Sequence, residues 1–517
     1  MRQERWPVEL LPAQRNTRLE LRSAGLSERL VTQHDACIVF VDRDHASTIV
    51  ELPFGETLKR LRAQVKPPDS GNILSTHVGH GATRIVIVPA RRSRTAFEYL
   101  TLAAKAWKAL GSTPRSLLVA SHRLDPSSDS LLLEAMAAAA LAGSARMPSM
   151  KSRAEPHREI ERITLLAKRG TIDTKSILAI DRGNQLARWL AALPPNILNS
   201  ASYRRALAKL ARERGWGFTF FDLTKLRRAG AGAFLAVARA NAHSDAGIVR
   251  LRYRAQRRGK VPRITLVGKG ICFDTGGINL KPHKSMYQMH EDMQGSAVAV
   301  GTLAALSELD APFDIDCWLA ITENEIGARA YRPQEVVRAA NGVTIQVVHS
   351  DAEGRMVLAD TLALATRDKP ALVLDFATLT GACVTALTER FSGVFTNRPQ
   401  WHATLEKAGR ESGERVWPFP MEEDFDADLD SSIADILQCA VDGKGDHILA
   451  ARFLNRFVPA DVPWIHMDLA ASNRSGGLAH IPTDFTGFGV RYATRLLLDD
   501  NFTKGLGSSA AIADASS

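Results

Sequence analysis

The chain has 517 residues, of which 45% are hydrophobic and 24% are charged. These shares exclude a largely disordered chain, and the length favours two domains over one. The formal net charge is +10, but the basic residues are spread over both halves, so we interpret most of the excess as solvated surface.

The cysteines and the N-terminal segment bear on the cellular compartment. The five cysteines are widely spaced and mostly set in apolar runs, which predicts reduced core thiols rather than a disulfide framework. The first residues lack the apolar core of a signal peptide, and no later stretch approaches the roughly twenty apolar residues of a membrane span. We therefore expect a soluble, cytoplasmic protein with no membrane partner.

The first third of the chain alternates short apolar runs with helical patterns. The runs that begin at Ala36 and Arg84 predict strands, and the stretches that begin at Phe97 and Leu131 predict helices. This pattern predicts a smaller N-terminal α/β domain over residues 1–170. No catalytic constellation is found in it.

A helix over residues 171–195 is predicted to connect this domain to the rest of the chain. Its helical pattern is ended by Pro194 and Pro195. The polar, proline-bearing segment that begins at Met147 is predicted to be the loosest connection before it.

From about Ser200 the alternation becomes stricter. The apolar strand candidates RITLVG, IDCWLAI, VTIQVV and ALVLDFA are separated by helical patterns such as GSAVAVGTLAALSEL and GRMVLADTLALAT. Continuous Val/Ile/Leu runs are typical of a central, largely parallel sheet flanked by helices. We therefore predict a larger α/β domain over 196–504, with its chemistry beyond the carboxyl ends of the strands. The small, polar residues 505–517 predict a disordered tail.

Two segments of the larger domain hold the ionisable residues of interest, and both begin where a predicted strand ends. These residues are Lys269, Asp274, Lys281 and Asp292 in the first segment, and Asp351, Glu353 and Arg355 in the second. Residues i and i+2 of an extended segment share a face, so Asp351 and Glu353 are predicted to point into one cavity before Gly354 lets the chain turn into a helix. Four carboxylates could then converge.

Carboxylates that are packed together repel one another unless cations neutralise them. A pair of divalent metal ions is the simplest neutraliser, and oxygen-rich sites suit Mg, Mn or Zn. Arg355 stands two residues beyond a candidate ligand and offers a fixed positive fork for an anion. Any one of these charged residues alone is more often a turn former or an exposed charge, so the hypothesis depends on the whole set.

Two other motifs are poorly matched. The string GKG from Gly268 suggests a phosphate loop, but the pattern G-x-x-x-x-G-K-[ST] does not occur. The pair HE from His290 suggests a zinc peptidase, yet Gln294 stands where H-E-x-x-H needs its second histidine.

A series of longer strings lies between Ala192 and Leu497. In chain order they are ALPPNILNSASY, VGKGICFDTGG, LKP, DMQGSA, AYRP, SDAEGR, ATLTGACV and TGFGVR. They resemble, in the same order, the strings of the leucyl aminopeptidase (cytosol aminopeptidase) family of dinuclear metallopeptidases. The combination of S/T-D-A-E-G-R with V-G-K-G-x-x-F-D-[ST]-G-G is highly specific. The resemblance implies a metal-dependent aminopeptidase that releases N-terminal residues, with a leucine-like preference, from peptides.

The resemblance also implies two divalent metal ions per subunit, Mn²⁺ or Zn²⁺. One ion would be held by Lys269, Asp274, Asp292 and Glu353, and the other by Asp274, Asp351 and Glu353. Asp274 and Glu353 would bridge the two ions. Lysine must be neutral to donate its lone pair to a metal, and two adjacent dications favour that neutral form.

In the mechanism that the resemblance implies, a water or hydroxide between the metal ions attacks the scissile carbonyl. Lys281 would donate to the developing oxyanion. Arg355 would hold a bicarbonate ion that acts as general base. Met289, Thr378 and Gly381 would help line the pocket for the first side chain, although Met289 is equally well explained as a core filler. The resemblance implies a homohexamer.

Departures from the family's strings bear on specificity more than on activity. His349 and Ser350 stand where members commonly have Asn-Thr, and Gln334 with Glu335 stands where they often have Gly-Asp. Gln294 replaces a glycine of D-M-G-G-A and puts a side chain where the backbone is expected to approach closely, which would crowd the site or alter its metal affinity.

Two alternatives stay open. A catalytically silent structural paralogue would have lost ligands, but all seven proposed metal and catalytic residues are present. An additional DNA-binding role, known for some members of the family, is compatible with the basic balance, although no DNA-reading motif is recognised. A salt-sensitive shift of duplex DNA would support it.

Overall fold

The structure is a computed structural model that describes residues 8–42, 49–64, 72–91, 94–153, 156–167, 170–257 and 261–507. Its helices and strands form two α/β units, each with its own large sheet. The predicted fold class is therefore confirmed. Of the tail predicted over 505–517, residues 505–507 belong to a short 3-10 helix and the others lie outside the described residues.

The N-terminal unit contains a six-stranded sheet. Its strands are β1 (Arg18–Arg22), β2 (Ala36–Asp42), β3 (Leu74–Val78), β4 (Thr83–Ala90), β5 (Ser116–His122) and β6 (Arg162–Leu166). Its helices are α1 (Glu28–Thr32), α2 (Gly55–Gln64), α3 (Ala96–Lys108) and α4 (Pro126–Gly143). The strand order is β1-β6-β5-β2-β4-β3, and all neighbours are parallel except β3 and β4. Strand β2 is buried along its whole length, as its continuous apolar run requires.

The C-terminal unit contains an eight-stranded sheet and a three-stranded sheet. Its helices are α5 (Thr174–Ala191), α6 (Ser200–Arg214), α7 (Leu223–Arg228), α8 (Gly232–Ala238), α9 (His283–Met286), α10 (Gln294–Glu308), α11 (Glu353–Ala365), α12 (Gly381–Leu387), α13 (His402–Ser412), α14 (Asp446–Asn455), α15 (Val490–Leu498) and α16 (Asp500–Thr503). Its strands are β7 (Gly217–Asp222), β8 (Gly247–Tyr253), β9 (Arg263–Asp274), β10 (Asp314–Asn324), β11 (Val336–Arg338), β12 (Thr344–Gln346), β13 (Leu372–Ala377), β14 (Ser392–Thr396), β15 (Val416–Pro418), β16 (Ile436–Leu437) and β17 (Trp464–Asp468).

The large sheet of this unit has the order β15-β14-β17-β13-β9-β10-β8-β7. Its four middle strands, β17, β13, β9 and β10, are parallel, as predicted, whereas β7, β8 and β14 pair antiparallel at the margins. The run VTIQVV forms β12, but β12 belongs to the small sheet, between β11 and β16.

Apolar side chains cover both faces of the large sheet. On β9, Ile264 and Leu266 belong to the hydrophobic cluster that includes α5, α10 and α15, while Val267 and Ile271 belong to the cluster that includes α8, α11 and α14. This alternation explains why the strands read as unbroken apolar runs. All five cysteines are buried free thiols, which confirms the prediction of reduced core residues. Among the described residues, no helix combines the length and apolar character that crossing a bilayer requires.

Helix α5 is the predicted connecting helix. Asp173 caps its first turn and accepts a hydrogen bond from Ser176 N at 3.0 Å. The helix contacts α4 of the N-terminal unit and packs along α10 of the C-terminal unit. Asp181 of this helix forms a buried ion pair with Arg15, which precedes β1. The domain boundaries near residues 170 and 195 stay a prediction.

The contact between α5 and α10 is made through two glycines. A Cβ added at Gly183 would lie 2.4 Å from Gly301 O, and a Cβ added at Gly301 would lie 2.5 Å from Gly183 O. We expect Gly183→Ala to lower the free energy of unfolding by about 1–3 kcal/mol, because overpacking forces the helices apart. Denaturant unfolding measures this. Gly381→Ala is the control, since a Cβ there meets nothing within 4 Å; equal stabilities of the two variants would contradict the prediction.

Candidate active site

Strand β9 supplies the first two site residues. The predicted strand RITLVG ends at Gly268 and would place Lys269 after the strand. The observed strand continues to Asp274, so Lys269 lies inside it. Lys269 is 3% exposed, and its Nζ donates to Asp292 Oδ1 and to Thr378 O, both at 2.8 Å. The same Nζ lies 3.0 Å from Glu353 Oε1. Lys269 therefore joins ligand candidates from three separate segments.

Gly354 makes room for Lys269. A Cβ at Gly354 would lie 2.6 Å from Lys269 Cε and 2.8 Å from its Nζ. Gly354 was predicted to let the chain turn into a helix, but α11 already begins at Glu353. The glycine is needed because the lysine side chain passes over the first turn of α11.

Asp351 and Glu353 do not lie on an extended segment, which corrects the sequence prediction. Asp351 is in a turn, Ala352 has φ −107° and ψ 36°, and Glu353 is the first residue of α11. Carboxylate oxygens of Asp274, Asp351 and Glu353 nevertheless all lie within 4.8 Å of one another. The turn and the helix start together produce the convergence that an extended strand was expected to give.

Lys281 returns to this cluster through a glycine turn. Gly276 and Gly277 have φ values of 85° and 66°, which disfavour a side chain. The turn places Lys281 Nζ 2.9 Å from Asp274 Oδ2 and in contact with the Asp351 carboxylate. The Lys281 side chain is 14% exposed, against 4% for that of Lys269. Lys281 is therefore the lysine that can be reached from outside.

Polar residues that sequence reasoning passed over hold the ligand loops together. Asn324 Nδ2 donates to Asp274 Oδ1 at 2.8 Å and to Ser350 O at 3.1 Å. Tyr331 Oη also donates to Ser350 O, at 2.7 Å. Asn324 is the last residue of β10 and pairs in register with Asp274, so the rule that sites lie at carboxyl ends of parallel strands could have found it.

Gln438 holds the backbone of the same loop. Its Oε1 accepts from Val348 N and His349 N, both at 3.0 Å, and its Nε2 donates to Ala352 O at 3.0 Å. In the sequence Gln438 lies 90 residues after Val348 and 86 residues after Ala352. No local signal in the sequence points to it.

Burial and mutual repulsion shift the titration of the site. Burial raises the pKa of Asp292 to about 7 and that of Asp351 to about 6, with neighbouring carboxylates adding to the effect and lysines opposing it. The pKa of Glu353 is raised for the same reasons. Burial disfavours the charged form of Lys269 and Lys281, but the surrounding carboxylates outweigh it and raise the pKa of both. Added positive charge would therefore stabilise the ionised cluster.

The donor set fits divalent cations. Four carboxylates surround two ammonium groups, so the cluster keeps a net negative charge when all are ionised. Asp292 Oδ2 is buried and has no hydrogen-bond partner in the described part of the chain. Oxygen donors with one amine suit Mn²⁺ or Zn²⁺. The carboxylates of Asp274, Asp351 and Glu353 lie close enough together to share one cation, and the second position, with Lys269 and Asp292, stays a prediction.

Arg355 is 2% exposed and already contacts an anionic group of the chain. Its Nη2 donates to both carboxylate oxygens of Asp446, at 2.8 and 2.9 Å, and its Nη1 donates to Gln438 O at 3.2 Å. Its Nε is buried without a hydrogen-bond partner among the described residues. The sequence predicted an anion at this fork but gave no indication of Asp446.

Of the three predicted pocket residues, Thr378 directly contacts the ligand cluster. It follows β13, and its Oγ1 donates to Asp292 Oδ1 at 2.7 Å. Met289 is half-buried in the 3-10 helix Met289–Glu291, just before Asp292. Gly381 is exposed at the start of α12, three residues beyond Thr378. The pocket that they would form stays a prediction.

Two residues that depart from the family's strings, Gln294 and His349, lie near the site in different surroundings. Gln294 is 2% exposed at the start of α10, and its Nε2 has no hydrogen-bond partner in the described ranges. The close backbone approach lies at the next residue, Gly295, where a Cβ would be 2.2 Å from Phe376 O. His349 is exposed, and its Nδ1 accepts from Asp351 N at 3.2 Å. His349 therefore supports the turn that carries a candidate ligand.

Comparisons with known sequences bear on this site. A sequence model described as the cytosol aminopeptidase family, catalytic domain, matches residues 185–494. The probable cytosol aminopeptidase of Syntrophotalea carbinolica is 41% identical over 319 residues, which are 62% of this chain and 63% of that protein. The one of Roseiflexus castenholzii is 39% identical over 372 residues, which are 69% and 75% of the two chains. The chain matches 63% of the Syntrophotalea carbinolica protein and 65% of the Afipia carboxidovorans protein. It therefore spans less than two thirds of the length of each.

Solved structures share the fold over nearly the whole chain. The bottromycin maturation enzyme BotP in complex with Mn has a TM-score of 0.77 and 29% identity, over 90% of this chain and 98% of that one. A variant of tomato leucine aminopeptidase has a TM-score of 0.81 and 26% identity, over 94% and 97% of the two chains. The segment that the family model matches contains every candidate metal ligand described above.

Proposed function

Because the chain belongs to the cytosol aminopeptidase family, we propose that it is a metal-dependent aminopeptidase that removes the N-terminal residue of peptides. The observation that carries this proposal is the convergence of four acidic side chains and two lysines at the carboxyl end of β9. A catalytically silent paralogue is disfavoured by the same convergence, since all four predicted carboxylates and both predicted lysines take part in it.

The proposed metal-binding residues form two overlapping groups. The first group is Lys269, Asp274, Asp292 and Glu353, and the second is Asp274, Asp351 and Glu353. Bound divalent cations would supply the positive charge that ionises a water near neutral pH and polarises the scissile carbonyl. The Mn in the BotP complex supports manganese as one such ion, and zinc fits the same donors.

Lys281 is the proposed electrophile. Its Nζ lies between Asp274 and Asp351, and its side chain is the more exposed of the two site lysines. An ammonium fixed in this position donates to the negative charge that develops on the carbonyl oxygen of the scissile bond. The carboxylates around it keep it protonated, since they raise its pKa.

The proposed general base is an anion held by Arg355. Bicarbonate is the anion that the family resemblance implies for this position. In the described part of the chain the Nε of Arg355 has no hydrogen-bond partner, so it can still donate to an added anion. Arg355 also contacts the Asp446 carboxylate, so the identity of this anion depends on that contact.

Specificity is assigned to the pocket of Met289, Thr378 and Gly381, with a leucine-like first residue as the preferred substrate. The contact of Thr378 with Asp292 supports a pocket beside the metal ligands. The open space above Gly381 supports access for a side chain of moderate size.

The proposed setting is the cytoplasm, and the proposed assembly is a homohexamer. Buried free thiols support a reducing compartment. Ile278, Leu280 and Tyr287 are 44%, 54% and 76% exposed on the segments that follow Asp274, and they are the apolar side chains that a subunit contact at this face would cover.

Metal removal and reloading tests the proposed function. We expect stripped protein to lose hydrolysis of leucine p-nitroanilide and to regain it with Mn²⁺ or Zn²⁺, because the carboxylate cluster needs cations to activate water. A dipeptide panel reports the preferred first residue. N-acetyl-leucine p-nitroanilide is the control substrate and should stay intact, since an aminopeptidase needs a free α-amine. Absence of turnover with every metal and peptide would refute the proposed activity.

A further inference from the structure

We infer that Asp446 is the resident anion of Arg355, so that activity does not require bicarbonate. This inference rests on the proposed function and identifies which anion occupies the position that Arg355 creates. Asp446 would then take the place of the proposed general base, as a carboxylate built into the chain where bicarbonate would have to come from the solution.

The contacts of Arg355 carry the inference. Its Nη2 donates to both oxygens of the Asp446 carboxylate, at 2.8 and 2.9 Å, which are distances of charge-assisted hydrogen bonds. Its Nη1 is held by Gln438 O, so the guanidinium cannot rotate freely. Of its three nitrogens, only Nε has no partner in the described part of the chain. Two of the three guanidinium nitrogens of Arg355 therefore already donate to groups of the chain in the absence of bicarbonate.

The position of Asp446 is fixed by its helix. Asp446 is the first residue of α14, and Gly445 before it has φ 61°, a conformation that a side chain would disfavour. The N-terminal end of a helix stabilises a negative charge. Ala450, Phe453 and Leu454 of the same helix are fully buried. The carboxylate is thus presented to Arg355 by a helix that is anchored in the core.

A tethered carboxylate has an advantage over a free ion. Bicarbonate must compete with a group whose effective concentration beside Arg355 is about millimolar or higher. The Arg355 guanidinium is buried, and a buried charge that lost Asp446 without a replacement would be strongly destabilised. Removal of the Asp446 side chain should therefore create a site for an added anion.

The first test measures turnover with and without bicarbonate. Manganese-loaded wild-type protein, Asp446→Ala and Asp446→Asn are assayed in CO₂-free buffer and again with added bicarbonate or formate. We expect the wild-type rate to change less than about twofold, because the tethered carboxylate already holds the position. Asp446→Ala should lose about 10²-fold and recover with either anion, while Asp446→Asn should recover less because its amide still fills the fork.

Asp442→Ala is the matched control. Asp442 lies in the segment just before α14, is exposed and pairs with Lys444 at 3.0 Å, so its removal should leave turnover and the bicarbonate response unchanged. Wild-type turnover that rises strongly with bicarbonate would overturn the inference. A folded Asp446→Ala variant that no anion restores would also overturn it, because Asp446 would then act only on structure.

Anion binding is measured separately by calorimetry on the metal-loaded proteins. Bicarbonate should bind to Asp446→Ala with a stoichiometry of one additional ion relative to wild type. Equal binding to both proteins would refute the resident role of Asp446. This measurement distinguishes the two proposals, since a protein without turnover would refute the aminopeptidase function while the binding data still decide the role of Asp446.

Discussion

Glu353→Gln is expected to lower kcat/KM for peptide hydrolysis by about 10³-fold, since loss of metal charge stabilisation costs several kcal/mol and each 1.36 kcal/mol is tenfold in rate. Glu353 belongs to both proposed metal groups, its carboxylate is 3.0 Å from Lys269 Nζ, and it is 1% exposed. The amide keeps the volume of the side chain but removes a charged oxygen ligand.

Metal content is the second measurement on this variant. Glu353→Gln should bind fewer manganese ions than wild type after dialysis, because a ligand shared by two ions is weakened. Glu406→Gln is the control, since Glu406 pairs with Arg410 at the surface of α13, away from the proposed ligands. A Glu353→Gln enzyme with more than about a tenth of wild-type activity and full metal content would contradict the bridging role, since loss of a ligand predicts a far larger deficit.

Lys281→Met is expected to lower kcat by about 10²–10³-fold with little change in metal content. The physical reason is that Lys281 Nζ stabilises developing charge but is not a proposed ligand. Its position 2.9 Å from Asp274 Oδ2 and in contact with Asp351 places it at the rim of the cluster. Rates and bound metal are measured on the same preparation.

Lys269→Met is the matched comparison for Lys281→Met. Both changes remove a lysine nitrogen from the cluster, but Lys269 is a proposed ligand, so its variant should lose metal together with activity. If Lys281→Met lost its metal to the same extent as Lys269→Met, the separate role of Lys281 as electrophile would be wrong.

The sequence predicted the parts of the fold that have strong local patterns. Strand β2, the helices α3, α4, α10 and α11, and the parallel middle of the large sheet follow from apolar periodicity, because each buries a long apolar face. The antiparallel margins and the separate sheet of β12 were not predictable in this way. A three-residue strand has too little pattern to show which sheet it joins.

The site shows the same division between local and distant information. Asp351 and Glu353 are close in the sequence, so their convergence was predicted, although the turn at Ala352 was not. Gln438 and Asp446 contact the site from a segment more than 80 residues away. Their roles depend on tertiary packing, which neither composition nor spacing of residues records.

The placement of the ligand candidates along the chain also sets an order of events during synthesis. Asp274 leaves the ribosome 79 residues before Glu353, which at about 5–20 residues per second corresponds to roughly 4–16 s. Strand β9 needs β13 as a neighbour, and that strand is made later still. A nascent chain therefore carries an incomplete set of candidate ligands until Glu353 emerges, and the proposed site cannot assemble before then.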